Sequence, residues 1–315
     1  MTILRRYKKW LLSIFIILFV LINAIAYFHA YKFTHFDIEE TTRTNDPNKL
    51  SIVQKIRTIV FGIDNPRPTN TSFPNRKFKT IKIKYNSDTI DCWHIIIDSL
   101  QPTVLIFHGY AGCKSQMIEK SNLLNDLGFN TVLVDFIGSG NSTGNKTTIG
   151  YFESEQVKYV FDYFNKYTAK SKIILYGISM GSVAIMKSIS DYNLEPTSII
   201  IECPFGNMLK TVQARFKIMN APSFPMSYLL LFYGGLQNNF NAFNHNPTEY
   251  AKKIKIKTLL MYGLKDNKVS KEEIDLIFKN LQGEKQLKIY KSAGHEDIVD
   301  KYKEEWKENI IKFTK

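Results

Sequence analysis

The stretch that decides the fold is Lys172-Ile173-Ile174-Leu175-Tyr176-Gly177-Ile178-Ser179-Met180-Gly181-Ser182-Val183-Ala184-Ile185-Met186-Lys187. Its first part, Lys172–Tyr176, is short and rich in β-branched residues, the pattern of a buried strand. From Ser182 onward the spacing is helical. Between the two stands a Gly-x-Ser-x-Gly. A serine hydroxyl is a weak nucleophile until it is held clear of the backbone beside a base. A strand turning sharply into a helix holds it so, provided the flanking positions lack side chains, as Gly177 and Gly181 do. The helix N-terminus then turns free N–H groups, first that of Met180, toward any oxyanion that forms at the serine. Ser179 is therefore the candidate nucleophile.

A nucleophilic serine needs a base, and the base needs an acid to orient it. Of the six histidines, His29 and His35 lie in or beside an N-terminal apolar segment and His94 lies in an alternating, strand-like run. His108 opens His108-Gly109-Tyr110, and His245 sits in a polar turn. His295 remains, in Ser292-Ala293-Gly294-His295-Glu296-Asp297, a loop between the strand-like Gln286–Tyr290 and a C-terminal amphipathic stretch. It is the candidate base. Asp266 is the candidate acid, following the apolar run Lys257–Tyr262 and preceding Ser270-Lys271-Glu272-Glu273, a capping box. Glu202, at the end of the apolar run Ser198–Ile201, is the alternative acid. The second oxyanion donor, beside Met180, is expected from the loop after Thr103–Phe107, at the N–H of Tyr110. His108 and Gly109 support that turn.

Strand-like runs at Thr80–Tyr85, Thr89–Ile97, Thr103–Phe107, Asn130–Asp135, Lys172–Tyr176, Ser198–Ile201, Lys257–Tyr262 and Gln286–Tyr290 alternate with amphipathic stretches at Ser115–Leu127, Glu153–Tyr167, Ser182–Ser190, Lys271–Leu281 and Glu296–Phe313. That alternation implies an α/β architecture, a parallel sheet with helices on both faces. The first two strands have no helix between them and should form an antiparallel hairpin turning at Asn86-Ser87-Asp88. Residues 204–250 break the alternation with an aromatic and Met-rich insert containing Phe205, Met208, Phe224, Tyr228, Phe232, Phe240 and Phe243, interrupted by Pro222, Pro225 and Pro247.

Taken together, His108-Gly109, Asp135-Phe136-Ile137-Gly138-Ser139-Gly140-Asn141-Ser142, the Gly177–Gly181 turn, Asp266 and His295 resemble the α/β-hydrolase superfamily. Within it the chain is similar to the small-capped esterase, lipase and serine-peptidase-like hydrolases, over about residues 78 to 315. The resemblance implies the α/β-hydrolase fold, with a mostly parallel eight-stranded sheet, a small cap at 204–250 and acyl-enzyme chemistry on Ser179, His295 and Asp266. It implies a carboxylic ester substrate first, with thioester, amide or peptide as alternatives, and a non-catalytic binding module as the rival from another class. The substrate is not fixed by the fold. The related families usually carry Arg where this chain has Ile137.

Ahead of the domain, Arg5, Arg6, Lys8 and Lys9 precede the uncharged run Trp10–Phe28, whose length of about 20 residues suffices to cross a bilayer as a helix. Asp37, Glu39 and Glu40 follow. The positive-inside rule then puts the N-terminus in the cytosol and the remainder across the membrane as a single-pass protein. Cleavage after Ala26, within Ala24-Ile25-Ala26, is the alternative, giving a secreted or periplasmic product; the long apolar run favours an uncleaved anchor. Residues 1–29 thus form the basic flank and anchor. Residues 30–77 read as a connector with a short helix around Lys49–Phe61, and 78–315 as the hydrolase domain.

The net charge of +13 accompanies no nucleic-acid motif and suits a surface facing anionic lipid. Three cysteines, Cys92, Cys113 and Cys203, make no disulfide framework. No cluster has zinc-ligand spacing and no glycine-rich loop has the dinucleotide pattern, so no metal or cofactor is expected; the proposed chemistry needs neither. Asn70, Asn141 and Asn145 fit the glycosylation pattern weakly.

Overall fold

Continuous apolar runs make strands that must be buried on both faces, and they form the middle of the sheet. The computed structural model describes residues 2–38, 51–167, 172–295 and 298–314. The acids Glu39 and Glu40, the stretch Thr41–Pro47, Lys49 and the pair Glu296-Asp297 lie outside the described residues. The chain begins with the helices α1 (Thr2–Thr34) and α2 (Ile52–Phe61), then the hairpin β1 (Lys79–Tyr85) and β2 (Asp88–Ile95), then β3 (Thr103–Phe107) and α3 (Ile118–Asp126). Next come β4 (Asn130–Asp135), α4 (Glu153–Tyr167), β5 (Ile173–Ile178), α5 (Met180–Tyr192) and β6 (Ser198–Glu202). The insert follows as α6 (Met208–Ile218), α7 (Met226–Gln237) and the short α8 (Pro247–Tyr250). The chain ends with β7 (Thr258–Gly263), α9 (Lys271–Asn280), β8 (Lys285–Tyr290) and α10 (Ile298–Thr314).

The strands form one eight-stranded sheet ordered β1-β2-β4-β3-β5-β6-β7-β8. β2 runs antiparallel to both its neighbours, and every other pairing is parallel. This is the α/β-hydrolase fold, with the hairpin at one edge turning where Tyr85 pairs with Asp88. Every residue of β3, β4, β5, β6 and β7 is buried. Right-handed crossovers in such a sheet bring the C-terminal ends of the parallel strands to one rim. Ser179 follows β5, Asp266 follows β7 and His295 follows β8, so the three candidates share that rim.

Where the elements depart from expectation, side-chain chemistry explains it. β2 stops at Ile95 rather than Ile97, because Asn130 Oδ1 accepts from the N–H groups of Ile97 (2.7 Å) and Asp98 (3.2 Å) in place of the ladder. The helix expected from Ser115 opens instead as a 3₁₀ turn over Lys114–Met117, because both the amide and the ammonium of Lys114 are held by Asp135 (2.7 and 2.5 Å). α1 does not end at the expected junction near residue 30. It continues to Thr34 because Ala30 and Thr34 bury against the body and Thr147 N–H donates to Thr34 O (2.9 Å). α2 starts at Ile52 behind a capping box made by Ser51 and Gln54, and α9 starts behind the expected one at Ser270 and Glu273.

Candidate active site

The turn from β5 into α5 is as tight as its glycines allow. A Cβ on Gly177 would stand 2.5 Å from the backbone of Gly181, and one on Gly181 would stand 2.4 Å from the carbonyl oxygen of Phe107. Both approaches are closer than real side chains permit, so the turn and its seat on β3 require glycine. Ser179 itself sits at φ +52° and ψ −112°, a region that costs a non-glycine residue of order 1–3 kcal/mol and is held only by its surroundings. Those surroundings are explicit. Ser179 N–H donates to Glu202 O (2.8 Å), and Ser182 Oγ donates to the carbonyls of Gly177 (2.7 Å) and Glu202 (2.9 Å).

The strain projects the Ser179 hydroxyl toward His295, whose Nε2 lies 2.9 Å from Ser179 Oγ. His295 Nδ1 lies 2.6 Å from Asp266 Oδ2. A carboxylate only accepts, so Nδ1 carries the proton and Nε2 is left to accept from the serine. Asp266 Oδ1 in turn accepts from the N–H groups of Lys268 (2.7 Å) and Val269 (3.0 Å), which fixes the carboxylate. The alternative acid is engaged elsewhere: Glu202 Oε1 accepts from Trp306 Nε1 on α10 (2.8 Å), and Oε2 faces Lys120 of α3 at 3.5 Å.

Beside the serine, a Cβ on Gly109 would lie 3.7 Å from Ser179 Cβ, at ordinary van der Waals contact, so the His108-Gly109-Tyr110 turn passes directly alongside the nucleophile. His108 is wholly buried, with Nε2 accepting from Phe136 N–H (3.1 Å) and Nδ1–H donating to Gly109 O (2.8 Å). Burial holds its pKa below the ordinary value, which keeps it a neutral brace for the turn. The Tyr110 hydroxyl donates to Phe33 O at the end of α1 (2.8 Å) and accepts from Asn65 Nδ2 (2.7 Å). On the other side, buried Glu153 gathers the 147–150 loop, accepting from the hydroxyls of Thr147 and Thr148 and the amides of Thr148 and Gly150. Thr147 Oγ1 also reaches Met180 Sδ (3.5 Å). Such an arrangement can deprotonate a hydroxyl, add it to a carbonyl and hold the resulting oxyanion near the N-terminus of α5.

Cys203, Asp266 and His295 present ligand atoms within 4.8 Å of one another. They fit a metal poorly. The imidazole nitrogens and Asp266 already have the partners named above, and burial raises the Cys203 thiol well above its ordinary pKa, against the thiolate that a metal needs.

Several residues that shape the site carry no sequence signal of a role. Lys114 is fully buried with its ammonium 2.6 Å from Asp91 and 2.5 Å from Asp135, over the ring of Trp93. Burial pushes Asp135 up, but the charge of Lys114 and the hydrogen bonds from its amide and ammonium outweigh it and hold the carboxyl below the usual carboxylate range. Arg67, from the turn-rich connector, donates to the carbonyls of Gly140 (2.8 Å) and Gly144 (3.0 Å) and to that of Ser142. An arginine thus clamps the Asp135–Ser142 loop although Ile137 stands where the related families usually carry one. Asn70 is bonded to Asp135, Asn141 and Ser115 N–H, which makes it a structural amide. His245, expected in a polar turn, is buried between Ile149 O (3.0 Å) and Tyr250 Oη (2.9 Å) and ties the insert to the 147–150 loop. In the insert, Phe205 and Met208 are buried, whereas Phe224, Tyr228, Phe232 and Phe243 face outward.

The fold and the rim geometry together define an α/β-hydrolase-type protein. Residues 98–249 match the family model described as serine aminopeptidase, S33. An uncharacterized protein of Bacillus subtilis (strain 168), YqkD, is 22% identical over 224 residues, 70% of this chain and 73% of that protein. Lysophosphatidylserine lipase ABHD12 of Gallus gallus is 24% identical over 144 residues, 44% of this chain and 35% of the lipase, so the match spans about a third of that protein's length. Among solved structures, the Pyrococcus furiosus esterase Pf2001 superposes with a TM-score of 0.66 at 23% identity, covering 79% of this chain and 95% of the esterase. The chain has the α/β-hydrolase fold, and over residues 98–249 it is similar to the serine aminopeptidase S33 family.

Proposed function

We propose that this protein is a membrane-anchored serine hydrolase that cleaves carboxylic esters, with apolar acyl groups as the favoured substrates. The observation that carries the reading is the unbroken chain Asp266–His295–Ser179, at 2.6 and 2.9 Å, on a strained strand-to-helix turn. In this reading His295 takes the proton of Ser179 as Oγ adds to the ester carbonyl. The N–H groups of Met180 and Tyr110 receive the oxyanion, and Asp266 stabilises the imidazolium. His295 then gives its proton to the departing alcohol. Water, deprotonated by the same imidazole, releases the acid from the acyl-serine. No metal or cofactor enters any step.

The anchor in this reading is α1, whose segment Tyr7–Thr34 is long and apolar enough to cross a membrane. Lys8 and Lys9 stand on its cytosolic side and the hydrolase body on the extracytoplasmic side. An uncleaved anchor is favoured over cleavage after Ala26, because Ala26 lies inside a continuous helix and is buried. Residues 78–315 form the catalytic domain, with 204–250 as its cap. An ester or lipid-like substrate is favoured by the esterase and lipase relatives; the family description keeps aminoacyl amides as the second substrate class.

The test is labelling of the full-length protein in detergent with a fluorophosphonate, followed by assays on paired esters and aminoacyl amides of the same chromophore. An adduct on Ser179 is expected, with ester turnover lowered at least about 10³-fold in Ser179→Ala. Turnover unchanged in that variant would refute the assignment, and faster release from the amide would move the substrate to the peptidase class.

A further inference from the structure

α7 contains no charged residue and lies alongside α1. Two hydrogen bonds fix its direction. Tyr233 Oη donates to Asn23 Oδ1 and Gln237 Nε2 donates to Tyr27 O, both at 2.9 Å. Four residues on along α7 correspond to four residues on along α1, so the helices run parallel. At 1.5 Å per residue the first turn of α7 comes level with about Ile16, well inside the uncharged run Trp10–Phe28. The edge-on contact of the Tyr27 and Tyr233 rings, with centroids 5.7 Å apart, sits on the same seam.

The seam also settles its own polar groups. Asn23, a strongly polar residue of the apolar run, accepts from Tyr233 and donates to Phe19 O (2.8 Å). A polar side chain in hydrocarbon is tolerated when its partners are internal. The face of α7 turned toward the body is buried at Leu230, Leu231 and Gly235. Its opposite face is a stripe of large apolar side chains at four-residue spacing, Tyr228, Phe232 and Leu236, exposed by 43, 53 and 60%, with Phe224 exposed just ahead of it.

We infer that the Tyr228–Phe232–Leu236 face of α7 docks on the acyl chains of the bilayer beside α1, making the cap a second membrane-immersed element that meets ester substrates in the lipid. The occupant is lipid because the stripe continues the surface of a helix long enough to span a bilayer, at the same depth along that helix. The inference rests on the anchor reading of α1, and the experiment separates the two.

Full-length protein is placed in phosphatidylcholine–phosphatidylglycerol vesicles with one nitroxide at a time, through Leu18→Cys in α1, Phe232→Cys in α7 or Leu276→Cys in α9. The native Cys92, Cys113 and Cys203 are buried and leave the introduced thiols as the labelling sites. Collision with oxygen, which concentrates in lipid, is compared with collision with a water-soluble nickel chelate. Positions 18 and 232 are expected to report lipid and position 276 to report water. Water at 232 with lipid at 18 overturns the docking surface and leaves the anchor standing. Water at 18 overturns the anchor reading, and the docking surface with it. A label at 232 shielded from both quenchers and broadened by a second nitroxide identifies another copy of the chain on this face, and also overturns the inference.

Discussion

Lys114 is held by two carboxylates, Asp91 and Asp135, with essentially no water around any of the three. Charges taken out of water cost several kcal/mol each, and only their mutual attraction and hydrogen bonds offset that cost. Asp135 uses its remaining capacity on the Asn141 amide and Asn70 Nδ2, both at 2.8 Å, and thereby sets the loop beside the β4 end. Replacing Lys114 by Met leaves two acids facing each other in a dry pocket. We expect Lys114→Met to lower stability by about 3–5 kcal/mol, and the added change Asp91→Asn to restore part of it. Urea midpoints in detergent measure both; a loss under about 1 kcal/mol for the single variant would mean that water enters the cluster.

At the scale of elements, the end of α1 and the oxyanion turn are joined through one hydroxyl. Tyr110 Oη bridges Phe33 O and Asn65 Nδ2, so a residue at the end of α1 and a connector residue together brace the turn proposed to supply the second oxyanion donor. Tyr110→Phe keeps that N–H and removes only its bracing. The variant should lower kcat roughly tenfold with KM little changed, less than the 10²–10³-fold expected on losing a donor outright. Equal kcat in the two proteins would show the turn to be self-supporting.

The same elements show what the chain made legible. The sheet, its edge hairpin and the strand-to-helix turn were readable because buried parallel strands are continuous apolar runs and because Gly177 and Gly181 have no substitute. The sequence placed Asp266 and His295 after late strands, and the fold brings them into one hydrogen-bonded row with Ser179. Lys114 was not legible, since a lysine opening an amphipathic stretch looks like a solvated cation, and its partners Asp91 and Asp135 stand far from it along the chain. Arg67 was hidden in a stretch rich in proline and threonine, where no periodicity links it to a loop far along the chain. His245 looked polar from its asparagine neighbours, although its ring is buried against Ile149 O and Tyr250 Oη. Likewise the outward face of Phe232 was not legible, because composition alone does not tell the inner face of a cap from its outer one.

For the whole molecule, acid sensitivity follows from groups buried without charge. His245 is pushed down to about 4 by burial, and His94 also to about 4. Unfolding restores the ordinary histidine value near 6.5, so the unfolded chain binds more protons between those limits. Stability from these histidines is complete above about pH 6.5 and falls as pH drops toward 4, by up to about 1.4 kcal/mol per pH unit for a fully buried group. Asp135 acts in the same direction but lower, its contribution being lost as pH falls through its depressed value. His245→Gln should flatten the slope between pH 6.5 and 4 while lowering stability at neutral pH. Urea titrations across that range measure it, and an unchanged slope would place the loss elsewhere.

The Asp91–Lys114–Asp135 cluster also carries a historical consequence. Its members come from β2, the turn before α3, and β4, and each is costly in the core when left charged without the others. Lineages descended from a common ancestor with this chain should therefore keep the trio or lose it in concert, through an intermediate in which an acid is neutralised before the lysine departs. Arg67, reaching the neighbouring loop from the connector, should be free to drift wherever arginine returns at position 137. The order of those replacements, reconstructed along a family tree, would record which of the two arginines came first.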